Sequence, residues 1–481
     1  MIYKDFGKSY YQCGVLLIGI AVLSVATLVA AEGKPRGGKV REAVVKAYDA
    51  DKNGKLDKVE RKALAKSVTE KQEPEKPKNN SPEKPAQQGE LPYPKIKFTL
   101  KDWVPVQRTT AKIVRAKQDI IKDGKDTWKL DFYRNNAYKC GLSGNHTFLV
   151  IEPKNGAGKK APLWVYFHGG GNGYFDKHGK YRTLRFQNAD TYNHEETFET
   201  LRAVNKGKPV FKNGRLTDVD NTLTRRVKEG YRLLVIGYGD HDQYSGMGTP
   251  YPNNPKGYEV NGLQASMSAV EYTVANYPTT HVFAHGTSAG SSGAYALGFA
   301  FSQDDIDLTG VIMDSSINTP RKSPIGMAMV KNNSRIVPKD ALEILERENK
   351  DVWLGAYQGL VDKIGVMSDV RYPFYPEAAV KVGYKSVPML IVAGKRDPFF
   401  GGQAPPIAEA KAVGMENVEW MWDGLRQAID AQKNSPHKLL VMNAGHVPTV
   451  KKPGHPVHDE VDTFIRKVMA TSPPVPFEKV K

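Results

Sequence analysis

From residue 95 onward, short uninterrupted apolar runs alternate with stretches of helical spacing. The plainest run is Ala161-Pro162-Leu163-Trp164-Val165-Tyr166-Phe167. Others stand at 232–238, 281–284, 308–313, 387–393 and 438–442, and 128–133 and 147–151 read as earlier strands. A run that is apolar at every position, without alternation, predicts a strand covered on both faces, the condition of parallel strands. Between the runs, residues 263–275 and 457–469 repeat apolar positions three and four apart, which predicts helices. Strands of this kind alternating with helices predict an α/β protein built on a mainly parallel, doubly wound sheet. No internal repeat interrupts the pattern.

The first ninety residues follow other rules. Lys4 and Lys8 precede an apolar run over 14–31 that ends in Val29-Ala30-Ala31, the form of an export signal with a small-residue cleavage point. Export implies a secreted or periplasmic protein; left uncleaved, the same run would be a membrane anchor. Residues 40–48 then carry helical spacing, and Asp49-Ala50-Asp51-Lys52-Asn53-Gly54-Lys55-Leu56-Asp57-Lys58-Val59-Glu60 matches an EF-hand loop. Asp49, Asp51 and Asn53 offer side-chain oxygens, Gly54 permits the sharp turn, and Lys55 offers its carbonyl. Asp57 binds directly or through water, and Glu60 closes the sphere, as the hard calcium ion requires. A helical run over 58–67 completes a small helical module spanning 32–68. Residues 69–94 are charged and rich in proline, which predicts an extended linker. The expected order is therefore signal peptide (1–31), EF-hand module (32–68), linker (69–94) and a large domain (95–481). Within the last, 172–230 and 318–386 are long insertions. The second is expected to form a lid, with helical spacing at 341–348 and 352–361 and with Trp353, Tyr357, Tyr372, Phe374 and Tyr375.

Composition changes this picture little. With 40% hydrophobic and 25% charged residues, the chain has the make-up of a soluble globular protein. It has two cysteines, and cleavage at residue 31 removes Cys13, so Cys140 would have no internal disulfide partner. The net charge of +17 is lysine-dominated and scattered, and no nucleic-acid motif accompanies it. Nucleic acid is therefore not an expected partner, while attraction to an anionic surface or envelope is.

The candidate chemistry stands at the ends of the predicted strands. His281-Val282-Phe283-Ala284-His285-Gly286-Thr287-Ser288-Ala289-Gly290 reads as a strand entering Gly-x-Ser-x-Gly, followed by a helix of small residues. Asp397 follows the run at 387–393, and His446 follows the run at 438–442. The chain order is Ser, Asp, His. A serine hydroxyl needs a base to take its proton, which His446 can do, and Asp397 can hold the imidazole in the required tautomer. The oxyanion would be met by the Ala289 amide and by Gly170 or Gly171 in His168-Gly169-Gly170-Gly171. Asp314 is a second candidate for the acid. His285 is expected to be packed rather than catalytic, and His455 and His458 are expected at the surface. The stretch Gly239-Asp240-His241-Asp242 should open on the same sheet edge; Asp240 and His241 are candidate substrate contacts, or part of a network that fixes the loop.

These motifs resemble the α/β-hydrolase superfamily over residues 95–481, and His168-Gly169-Gly170-Gly171 is similar to the oxyanion loop of its lipase and esterase branch. The resemblance implies hydrolysis of carboxylic esters, with ester-substituted polysaccharide or a polyester as substrate classes. The loops at 168–173 and 237–246 are also similar to those of pectin acetylesterases. The chain departs from that family in lacking its cysteines and its Gly-Cys-Ser-Ala-Gly-Gly elbow. A peptidase or amidase using the same three residues, and a non-catalytic, calcium-dependent binding protein on the same fold, are the alternatives.

Overall fold

The structure is a computed structural model that describes residues 106–140, 144–156, 158–170, 173–175, 178, 181–183, 210–212, 215–239, 242–244, 246–250, 255–257, 259–316, 376–397 and 422–472. The chain divides into two compact units, Met1–Gly89 and Glu90–Lys481, and all described residues belong to the second. The export segment, the EF-hand loop, the linker and the aromatic residues of the expected lid lie outside the described residues.

Nine strands form one sheet: β1 (Ile113–Asp123), β2 (Asp126–Cys140), β3 (Gly144–Ile151), β4 (Ala161–Phe167), β5 (Arg232–Ile236), β6 (Thr279–Thr287), β7 (Gly310–Asp314), β8 (Met389–Gly394) and β9 (Lys438–Met442). Their spatial order is β1-β2-β3-β5-β4-β6-β7-β8-β9. The first three pair antiparallel with one another, and β3 pairs antiparallel with β5. From β5 across to β9 every pairing is parallel. The architecture is thus mixed α/β with a large, mostly parallel sheet.

Among the described residues, seven helices accompany the sheet: α1 (Thr222–Lys228), α2 (Gly262–Asn276), α3 (Ala289–Gln303), α4 (Pro376–Lys381), α5 (Asp423–Ala431), α6 (Pro448–Lys451) and α7 (Val457–Thr471). Successive residues of the central strands point to opposite sides, and the core divides accordingly. Val165, Phe167, Leu234, Ile236, Val282, Ala284, Val311 and Met313 pack with α2, α3 and α5. Trp164, Tyr166, Leu233, Val235, Phe283 and Ile312 pack with α1 and α7. Both faces are covered, which is why β5, β7 and β8 are buried at every position.

Two elements depart from the sequence expectation. Strand β1 falls where the apolar pattern predicts none: it is an edge strand whose burial is confined to a few positions such as Ile113 and Ile121, so its sequence lacks an apolar run. Helix α1 occupies the end of the stretch expected to be an insertion, and its Leu223 and Val227 are buried against the sheet.

Among the described strands the topology changes direction between β4 and β6. The chain leaving β4 reaches β5 through α1, on one face, whereas the chain leaving β6 reaches β7 through α3, on the other. Because β4 and β6 are neighbours, their connections part at the carboxyl ends, and such a switch point is where open α/β sheets bind ligands.

Candidate active site

Strand β6 ends at Thr287, and Ser288 forms the turn into α3 with φ 56° and ψ −123°. For a residue with a Cβ this is a strained conformation, of the kind that persists where the surroundings over-determine it. The surroundings here are tight. A Cβ on Gly286 would collide with Gly290 O, and one on Gly290 would collide with Phe167 O at the end of β4, so the glycines allow the turn to close on the sheet. The Ser288 amide donates to Asp314 O at 2.8 Å, and Ser291 Oγ donates to the same oxygen at 2.7 Å. The turn is thereby tied to the end of β7.

The glycine loop after β4 lies directly against this turn. Gly169 N donates to Thr287 Oγ1 at 3.1 Å, which also meets the Tyr166 hydroxyl at 3.1 Å. Tyr244 Oη donates to His168 O at 3.1 Å, and His168 Nδ1–H donates to Gly169 O at 3.1 Å. Thr287, Tyr166 and Tyr244 therefore hold the loop beside the serine, a role that nothing in their sequence positions announced. Ala289 opens the fifteen-residue helix α3, whose positive end faces the turn. Gly170 is described and follows the held segment, while Gly171 lies outside the described residues.

Beyond β8, Asp397 is fully buried, and beyond β9, His446 is 8% exposed. Their side chains meet, His446 Nδ1 to Asp397 Oδ2, at 2.7 Å. A carboxylate only accepts, so Nδ1 carries the proton and the tautomer presents the Nε2 lone pair. Val447, the next residue, is left-handed at φ 50° and ψ 60°, a conformation unusual for a β-branched side chain.

Asp314, the second candidate acid, has other partners. Its Oδ2 accepts from Thr449 N at 2.9 Å and from Thr449 Oγ1, and its Oδ1 accepts from Ser315 Oγ at 3.1 Å. Burial pushes its carboxyl up to about 7 despite these bonds, and the nearby charge of Asp397 adds to the rise, since both disfavour the ionised form. Thr449 Oγ1 also meets His285 Nε2 at 3.1 Å. With Asp314 ionised, the Thr449 hydroxyl proton goes to its carboxylate and His285 donates from Nε2. His285 is fully buried, flanked by the Trp164 and Tyr166 rings, and burial pushes it down to about 3, which keeps it neutral.

His458 is not a surface residue as expected. It is fully buried, with Nδ1 at 3.0 Å from Thr222 Oγ1 and Nε2–H donating to Lys452 O at 2.8 Å, because α7 packs its first turn against α1. His455 is half-buried and accepts from Val457 N at 3.1 Å.

Of the Asp-His-Asp stretch, Asp240 and His241 lie outside the described residues. Asp242 fixes the loop: Oδ1 accepts from Tyr244 N at 2.9 Å, and Oδ2 accepts from Gly246 N at 2.9 Å and Gly262 N at 3.0 Å. The last of these ties the loop to the start of α2. Among the described residues, no group of three or more His, Cys, Asp and Glu side chains could hold a metal ion, and no helix is long and apolar enough to cross a membrane.

No protein-family model and no curated protein sequence matches the chain. Among solved structures it is similar to an S-formylglutathione hydrolase from Agrobacterium tumefaciens, at 11% identity over 74% of this chain and 99% of that one, with a TM-score of 0.39. An esterase from the archaeon Pyrobaculum calidifontis is 12% identical over 78% of this chain and 90% of that one, with a TM-score of 0.37. An esterase from Pyrococcus furiosus is 13% identical over 73% and 90%, with a TM-score of 0.32. The likeness is distant, and the chemistry of the site rests on its own residues. Its sheet order, its helices on both faces and its strand-turn-helix at Ser288 fit the α/β-hydrolase fold.

Proposed function

We propose that the protein hydrolyses carboxylic esters through an acyl-enzyme, with Ser288 as nucleophile, His446 as base and Asp397 as its orienting acid. The observation that carries this reading is the 2.7 Å contact between His446 Nδ1 and Asp397 Oδ2, at the sheet edge where Ser288 occupies its strained turn. Ser288 Oγ bonds to the ester carbonyl carbon as its proton passes to His446 Nε2. The carbonyl electrons move to oxygen, and the Ala289 and Gly170 amides are suited to receive that charge. When the carbon–oxygen bond to the alcohol breaks, His446 returns the proton to the departing alkoxide. Water then attacks the acyl-serine with the same base, releasing the acid and restoring Ser288. The substrate class we favour is an ester-substituted polysaccharide or a polyester, and Asp240 and His241 are the residues we propose to contact it.

Ser288→Ala should abolish both hydrolysis of p-nitrophenyl acetate and covalent labelling by a fluorophosphonate. Labelling that persists at another residue would remove Ser288 from the role. A matched panel of ester and amide substrates separates esterase from peptidase or amidase. A folded wild-type protein that reacts with neither probe would instead favour a binding protein.

We further propose that Asp49, Asp51, Asn53, Lys55, Asp57 and Glu60 bind calcium and that the protein is exported. The support is the donor set, mostly carboxylate and carbonyl oxygens spaced as a hard cation requires, behind an export-type segment. Calorimetric titration of the full chain with calcium should give a binding isotherm that Glu60→Gln loses. A flat wild-type titration would contradict the site.

A further inference from the structure

The Ser288 turn and the His446 loop are both bonded to residues outside the proposed triad. Asp314 and Ser315, at the carboxyl end of β7, reach every element that carries it. Through its carbonyl, Asp314 receives the Ser288 amide at 2.8 Å and Ser291 Oγ at 2.7 Å, which holds the nucleophile turn. Through its carboxyl it receives Thr449 N at 2.9 Å and Thr449 Oγ1, three residues beyond His446. Ser315 Oγ receives the amide of Val447, the residue after His446, at 2.7 Å. Ser315 N donates to Val392 O at 2.8 Å, on the strand that leads to Asp397.

We propose that Asp314 and Ser315 are positioning residues: one dipeptide that clamps the Ser288 turn and the His446 loop to each other, and so sets the distance over which the proton passes. The clamp acts where the chain is least at rest. Ser288, Ser315 and Val447 all hold positive φ, at 56°, 55° and 50°. None is a glycine, so each conformation is unfavourable by itself and needs its neighbours to persist. The clamp supplies hydrogen bonds to Ser288 N and Val447 N, the amides of two of these three residues. Asp314, Ser315 and Thr449 are fully buried, so each bond lost leaves a buried polar group without that partner, at a cost. Asp314 thus positions the base loop through Thr449 without touching the imidazole, whose contact is to Asp397. The inference rests on the proposed assignment of Ser288 and His446.

The test uses the full chain with Ser315→Ala, which removes the bonds of Ser315 Oγ to Val447 N and Asp314, and Thr449→Val, which removes those of Thr449 Oγ1 to Asp314 and His285, both nearly keeping side-chain volume, with Thr449→Ser as the conservative control. A displacement of the base loop by a fraction of an ångström to one ångström lowers kcat and the rate of fluorophosphonate labelling by about 10- to 100-fold, while KM stays within about twofold. Thr449→Ser keeps most of the rate. Circular dichroism and thermal melting establish that each variant is folded at the assay temperature. Wild-type rates in both folded Ser315→Ala and Thr449→Val overturn the clamp. Losses that Thr449→Ser does not rescue, or that track the folded fraction, assign these residues a merely structural role and overturn it as well. If the wild-type chain itself is not labelled at Ser288, the ester-hydrolase assignment fails and the clamp with it.

Discussion

Gly169 lies so near Ser288 that a Cβ placed on it would stand 2.8 Å from Ser288 Cβ and 2.7 Å from Thr287 O. Neither neighbour is the far end of a flexible side chain. Thr287 belongs to the central strand β6, and Ser288 is held by its amide to Asp314. Gly169→Ala must therefore push the glycine loop outward, moving Gly170 away from the position where an oxyanion would form. The expected result is a loss of about 10²-fold in kcat, the size seen when one oxyanion donor is removed, with ester KM little changed. Steady-state kinetics on p-nitrophenyl acetate measures it, and an undiminished kcat would mean that Gly170 is not a donor.

Asp397→Asn leaves the volume beside His446 almost intact and changes only what the group can accept. An amide can turn its NH2 toward Nδ1, and the imidazole then carries its proton on Nε2, where it cannot serve as a base. By analogy with other serine triads the loss in kcat is about 10⁴-fold. Asp314→Asn should cost much less, because Asp314 does not touch the imidazole. A larger loss from Asp314→Asn than from Asp397→Asn would reverse the assignment of the acid.

The raised carboxyl of Asp314 also has a signature in stability. The titratable groups around it are Asp397 beyond β8, whose charge reinforces the rise, Tyr166 on β4, whose phenol burial pushes upward, and neutral His285 on β6 across Thr449. With a folded-state value of about 7 against 3.8 for the unfolded chain, the folded protein prefers Asp314 protonated. Its contribution is complete below the unfolded value and is lost as pH rises toward 7, at a limiting slope of about 1.4 kcal/mol per pH unit. Asp314→Asn removes this slope. His285 runs the other way, losing stability as pH falls from 6.5 toward 3, and is common to both proteins. Urea midpoints at about pH 5 and about pH 7 measure the difference: wild type should lose more stability between them than Asp314→Asn. Equal losses would contradict a protonated Asp314.

Asp242→Ala should destabilise the fold. The carboxylate is buried and accepts from three backbone amides, those of Tyr244, Gly246 and Gly262, which alanine leaves without a charged acceptor. A loss of about 2–4 kcal/mol follows from orphaning buried donors. It is read as a lower urea midpoint with an unchanged slope; an unshifted midpoint would mean that the loop re-pairs its amides elsewhere.

Much of this fold was legible in the chain itself. The runs that became β4, β5, β7 and β8 are apolar at almost every position because both sides of the sheet are covered, and a residue's need to leave water is written in its side chain. Ser288 was legible for a similar reason. Glycines two residues on either side of a serine, after an apolar strand and before small residues, mark the turn locally, and Gly286 answers to Gly290 four positions on, whereas Gly290 answers to Phe167 on the neighbouring strand. Edge strand β1 was not legible, since it is mostly exposed and its place comes from pairing with β2.

What the sequence determined alone was therefore local: which segments enter the core, and which chemistry-bearing residues follow a strand. It offered two acids, each after an apolar run, with Asp397 preferred over Asp314. The contacts came from tertiary structure, which brings His446 to Asp397 across 49 positions and Thr449 to Asp314 across 135. It likewise buried His458 against Thr222, 236 positions away. Such pairings depend on strand order and on the exit angle of each loop, and these are set by the packing of the whole sheet rather than by any window of the chain.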